Sequence, residues 1–234
     1  MPFFENKRIL VVAPHPDDET LGCGGLIAAA KHGNATVAVL ALCVGDAVQY
    51  GSSSQSTKRK AEFFSATSML GVDHSEILFA DEWHLRLDTL PQRDLIDRLE
   101  KSINTFRPDF LIVPGPSYNQ DHNAAFSACM GAARPYSSDL KHTPTLVLAY
   151  SHWDEYSWSA NIFEVPRKTF VVDTSNFLKA KLSALTCYES QMKSSENHWR
   201  TLQNVEMIDR AVGKKNGLTA AEEFFCLRHV VAGD

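Results

Sequence analysis

Along the chain, short apolar runs alternate with segments whose apolar residues recur at helical spacing. Residues 8–14 read as a buried strand, since Ile9 to Ala13 carry no charge. Residues 20–32 read as a helix stopped by Gly33-Asn34. Residues 35–43 are a second, β-branched strand. Strand, helix and strand in so short a span make a βαβ unit, hence a parallel pair with a right-handed crossover. A polar loop rich in glycine and serine covers 44–56. The pattern predicts a helix over 57–71, with Ala61, Phe64, Ala66, Met69 and Leu70 on its apolar face. Strand 75–80, a loop with Trp83 and His84, and a long amphipathic helix over 89–106 follow. Further strands are expected at 109–113, 144–150 and 168–173, and helices at 123–133 and 176–191. The remainder, 192–234, is less patterned, with a helix around 203–214 and a short element near 222–231.

The 234 residues suit one domain, 1–234, with no internal repeat or linker. The expected fold is a single-domain, Rossmann-like α/β fold: a doubly wound, mostly parallel sheet with helices on both faces. Ligands of such sheets bind beyond the carboxyl ends of the strands. The two richest polar loops, after the strands at 8–14 and 109–113, both lie there. A net charge of -5 gives no electrostatic case for nucleic acid. No apolar run approaches the roughly 18–20 residues that span a bilayer. Five cysteines without a CxxC pair argue against a disulfide framework or a Cys-rich zinc site. With no signal peptide in the first residues, the expected compartment is cytoplasmic.

The first strand ends in His15-Pro16-Asp17-Asp18-Glu19. Carboxylates and an imidazole gathered at the end of a buried strand repel one another unless a cation compensates them. His15 and Asp18, three residues apart on a tight turn, could present a nitrogen and an oxygen to one metal. Asp121-His122 in the later loop offers a third ligand. Two histidines and a carboxylate with an open position are a common catalytic zinc set. Asp17, not needed as a ligand, could act as general base. The bland alternative makes Asp18 or Thr20 a helix cap and Glu19 a first-turn carboxylate favoured by the helix dipole.

PHPDDETLGCGG resembles the signature of the LmbE/PIG-L-like zinc-dependent N-acetylglucosaminyl deacetylases. RKAEFFSATSMLGV (59–72) and PDFLIVPGPSYNQDHNAA (108–125) resemble two further family segments, and KAKLSALTCYESQM (179–192) and GLTAAEEFFCLRHV (217–230) match more weakly. The resemblance implies His15, Asp18 and His122 as ligands of Zn2+, with another divalent metal open. It implies Asp17 as the base, Arg59 as a substrate-binding residue and Asp121 as an orienting neighbour. Asn119 stands where the family usually has histidine; it can donate to an oxyanion but cannot transfer a proton. Asp17 could then return the proton itself, or His152 could enter from the next strand-end loop, where it would also contact substrate. Trp83, Trp153, Tyr156 and Trp158 are candidates for stacking on a sugar. The implied substrate is a small N-acetylated amino sugar, free or conjugated. A non-sugar N-acyl substrate and a non-catalytic sugar- or nucleotide-binding module are the alternatives. Family members are often multimeric, which leaves a homo-oligomer open.

Overall fold

The computed structural model describes residues 2–49, 52–152 and 168–231. In chain order its elements are β1 (Arg8–Ala13), α1 (Asp18–His32), β2 (Thr36–Ala41), β3 (Ala47–Gln49), β4 (Ser52–Ser54) and α2 (Ser56–Met69). There follow β5 (His74–Ile77), α3 (Gln92–Phe106), β6 (Phe110–Pro114), α4 (Gln120–Ala132) and β7 (Leu146–Tyr150). The last are β8 (Phe170–Asp173), α5 (Leu178–Leu185), α6 (Leu202–Lys215) and β9 (Ala221–His229). The main sheet has seven strands in the order β5-β2-β1-β6-β7-β9-β8. Pairing is parallel from β5 through β7, whereas β9 runs antiparallel to both β7 and β8.

Successive strand residues point to opposite faces, and both faces are covered, so the strands are apolar without alternation. Ile9 and Val11 pack under α1, α2 and α5 with Ile27, Phe63 and Leu185. Leu10 and Val12 face α3 and α4, against Leu95, Leu99, Ala125 and Ala128. Close approach of α1 to the sheet requires glycine: a Cβ on Gly22 would sit 2.3 Å from the Tyr150 ring. Tyr150 in turn donates its hydroxyl to the Val12 carbonyl (3.0 Å). Helix α1 bends at Cys23, and the Gly25 and Leu26 N–H groups beyond the bend donate to Glu222 (2.9 and 2.7 Å).

The doubly wound arrangement agrees with the sequence reading; several local expectations do not. The 44–56 loop contains the antiparallel hairpin β3–β4. The buried face of α2 is Arg59, Glu62, Phe63 and Ala66, while Phe64 and Met69 are 46% and 53% exposed. The helix expected over 176–191 ends at Leu185. Beyond it the chain turns so that Tyr188 reaches Glu19 and Ser190 reaches Glu62. The element near 222–231 is β9, a nine-residue strand inserted between β7 and β8. The chain runs outward from β1 to β2 and β5, then returns to β6 on β1's other side. The switch point of the sheet therefore lies between the carboxyl ends of β1 and β6.

Candidate metal centre at the switch point

The turn after β1 is built by its own side chains. Asp17 takes the left-handed conformation (φ 106°), which costs a non-glycine residue about 1–3 kcal/mol. Two contacts hold it there. The Asp17 N–H donates to Glu19 Oε2 (3.2 Å), and Arg200 Nη1 donates to Asp17 Oδ2 (3.1 Å). Glu19 stands in the first turn of α1, as the bland alternative has it, yet more holds it than the helix dipole. It is buried and accepts hydroxyl bonds from Thr20 (2.6 Å) and Tyr188, and burial pushes its pKa up to about 7. Neither Asp18 nor Thr20 occupies the helix-cap position; Asp17 does, without a side-chain cap bond.

His15, Asp18 and His122 converge. His15 Nδ1 and His122 Nε2 lie 3.4 and 3.3 Å from Asp18 Oδ2. All three side chains are buried. Burial alone would raise the Asp18 pKa, but the imidazoles of His122, His15 and His152 outweigh it and hold the carboxyl well below its usual range. Burial would lower His15, yet its bonds to Asp121 and Asp18 win and raise it. His15 Nε2 faces Asp121 Oδ2 at 2.8 Å, and Asp121 Oδ1 accepts the Leu87 N–H (2.9 Å). Asp121 thus favours the tautomer with the proton on Nε2, leaving the Nδ1 lone pair toward Asp18 and His122.

These residues fit a divalent ion. A tetrahedral ion with bonds of about 2.1 Å keeps its ligand atoms about 3.4 Å apart, close to both distances found here. A second group, His15, Cys43 and His84, also brings ligand atoms within 4.8 Å of one another. It fits less well. Arg59 Nη1 lies 2.7 Å from His84 Nε2, and a guanidinium can only donate. His84 therefore carries its own proton on Nδ1, and a cation would have to displace the guanidinium from one nitrogen or the proton from the other. Burial of the Cys43 thiol also pushes its pKa up, away from the thiolate a metal needs.

The other expected residues also gather here. Arg59, on α2, is buried and donates to the Gly45 carbonyl (2.9 Å) as well as to His84. Asn119 caps α4, its Oδ1 accepting the Asp121 N–H (2.9 Å), which leaves the amide nitrogen as the atom for any donor role. His152 is packed against the centre, with Nε2 2.8 Å from Asp18 Oδ1 and its ring stacked on Trp199. Burial raises the Asp17 pKa, and Arg200 opposes that rise. Trp83 packs against the core beside α3, and Trp153, Tyr156 and Trp158 lie outside the described residues. Sequence reasoning missed Arg200 and Trp199, which sit in an unpatterned stretch, and the site contact of His84. The signal available for them was a cluster of His198, Trp199 and Arg200, types suited to a polar site.

Four similarities bear on this geometry. The chain is 25% identical over 198 residues to a probable N-acetyl-alpha-D-glucosaminyl L-malate deacetylase 2 of Bacillus subtilis (strain 168), covering 79% of this chain and 83% of the relative. The conserved protein TT1542 from Thermus thermophilus superposes with a TM-score of 0.75 at 23% identity, over 97% of each chain. The N,N'-diacetylchitobiose deacetylase from Pyrococcus horikoshii gives 0.72 at 20% identity, over 97% of this chain and 85% of that one. At these identities the two structures establish the fold. Residues 10–133, more than half of the chain and the part that supplies His15, Asp17, Asp18, Arg59, Asp121 and His122, match the PIG-L family, described as GlcNAc-PI de-N-acetylase, and the chain belongs to that family.

Proposed function

We propose that this chain is a metal-dependent N-deacetylase that hydrolyses the acetamide of an N-acetylated amino sugar, free or conjugated, to a free amine and acetate. The observation that carries this reading is the convergence of His15, Asp18 and His122 at the switch point, with Asp17 beside them. The names of the B. subtilis and P. horikoshii relatives, one acting on an N-acetylglucosaminyl malate and one on diacetylchitobiose, support the amino-sugar class.

In this reading His15, Asp18 and His122 hold the ion, Zn2+ or another divalent metal. When bound, the ion supplies a Lewis acid that polarises the acetamide carbonyl and acidifies water. Asp17 accepts the proton of the attacking water and returns it to the leaving nitrogen. Its burial, which favours the neutral acid, suits a group that must hold that proton between the two steps. Asp121 keeps His15 in the ligating tautomer. His152, engaged with Asp18 Oδ1, orients that carboxylate. Arg59 and the amide of Asn119 donate to the carbonyl oxygen as negative charge develops there. Asn119 has no transferable proton, so proton traffic falls to Asp17.

The test is amine release from N-acetylglucosamine, its sugar-nucleotide and small-conjugate derivatives, and simple N-acyl amines, before and after chelation. Turnover of an N-acetyl sugar, lost on chelation and restored by a divalent ion, is expected. Turnover confined to simple acyl amines would overturn the sugar class, and metal-loaded protein that releases no amine would overturn the hydrolase.

A further inference from the structure

Arg59 is a buried cation held from one side. Its Nη1 donates to the Gly45 carbonyl and to His84 Nε2, at 2.9 and 2.7 Å. Its Nε is buried and has no hydrogen-bond partner among the described residues. The His84 ring it bonds to lies 5.2 Å from the His15 ring, which places Arg59 beside the candidate metal centre. A guanidinium is a rigid planar fork, so holding Nη1 restricts the directions of its remaining N–H groups.

His84 is delivered by a loop that is itself tied to the site. Next to it, Leu85 adopts a left-handed conformation (φ 59°) and its carbonyl accepts from Gln120 Nε2 (3.1 Å). Leu87 N–H donates to Asp121, the same carboxylate that orients His15. Gly45 lies so close that a Cβ there would fall 2.6 Å from His84 Cβ. The His84 ring stands edge-on to His15, with centroids 5.2 Å apart. The imidazole is thus fixed by packing on one side and by Arg59 on the other.

We infer that His84 is a positioning residue: with the Gly45 carbonyl it clamps Arg59 Nη1 and so holds the guanidinium in the orientation in which it donates to the acyl carbonyl oxygen of the substrate. The inference rests on the deacetylase reading above. His84 takes no proton and touches no reacting atom; it acts through Arg59. Without that acceptor, Nη1 keeps only the Gly45 carbonyl, and one bond instead of two fixes the orientation of the guanidinium.

Two variants separate the acceptor from the packing. His84→Phe keeps ring volume without an acceptor, and His84→Gln restores an acceptor oxygen. Each is assayed for metal content, for kcat and KM, and for the Arg59 guanidinium signals in 1H–15N NMR spectra, assigned by their loss in Arg59→Lys. His84→Phe should keep its metal, lose about tenfold in kcat/KM and show averaged Arg59 Nη signals. His84→Gln should retain most of both properties. Arg59 signals unchanged in an active His84→Phe enzyme, or equal impairment of the two variants, would overturn the clamp. Changed signals in a protein that turns over no N-acetyl compound would overturn the deacetylase reading, and the functional half of this inference with it.

Discussion

Asp121 shows how much one carboxylate can organise. One oxygen faces His15 Nε2 and the other accepts the Leu87 N–H, so it joins the turn after β1 to the loop that carries His84. Its replacement by alanine should lower divalent-metal affinity about 10–100-fold, measured by competition with a chelating dye; unchanged affinity would remove Asp121 from the site. His84 makes a separate prediction at this scale. Burial, with the charges of His15 and Arg59, lowers its pKa from 6.5 to about 3. Between those values the unfolded chain binds more protons than the folded one, so stability rises with pH and is lost on acidification. His84→Gln, which does not titrate, should lose less stability than the parent between about pH 7 and about pH 4.5, read by chemical denaturation. Equal losses would contradict the assignment. Single residues were legible where chemistry is compressed into a few positions, as in HPDDE and Asp121-His122. Arg200 was not, because it meets Asp17 across 183 positions from a stretch with no periodicity.

Elements were legible where they bury an apolar stripe. Helix α3 places Leu95, Leu99 and Ile103 inward as its spacing predicts. Helix α2 was rotated in the sequence reading because its buried face includes Arg59 and Glu62, which a hydrophobicity pattern assigns to solvent. Glu62 binds the Ser190 N–H and hydroxyl, and Arg59 binds the Gly45 carbonyl and His84, so tertiary anchoring overrides the pattern there. The same holds for β9, whose acidic start hides Glu222. That residue joins the bend of α1 to Lys181 on α5, and Lys181 also pairs with Asp209 on α6, both at 2.8 Å. Lys181 is 1% exposed. Lys181→Ala would leave two buried carboxylates without their cation and should cost about 3–5 kcal/mol of stability. A denaturation midpoint close to the parent's would show that these carboxylates are neutral in the fold.

At the scale of the molecule, the order β5-β2-β1-β6-β7 brings two distant turns to one place. No helix among the described residues is long and apolar enough to cross a membrane. The sheet supplies rigid strand ends, and the strain and charge are concentrated just beyond them, at Asp17 and in the three candidate ligands. The fold holds these donors together, so an ion that binds only the folded chain should stabilise it through mass action. The most direct measurement is metal content by elemental analysis, paired with amine release from an N-acetylated amino sugar, for the parent and for Asp17→Asn. We expect about one divalent ion per chain in both proteins, the open tetrahedral set holding a single ion, with turnover lost in Asp17→Asn alone. A parent that binds no ion under any loading condition, or an Asp17→Asn variant that turns over at the parent's rate, would contradict this expectation.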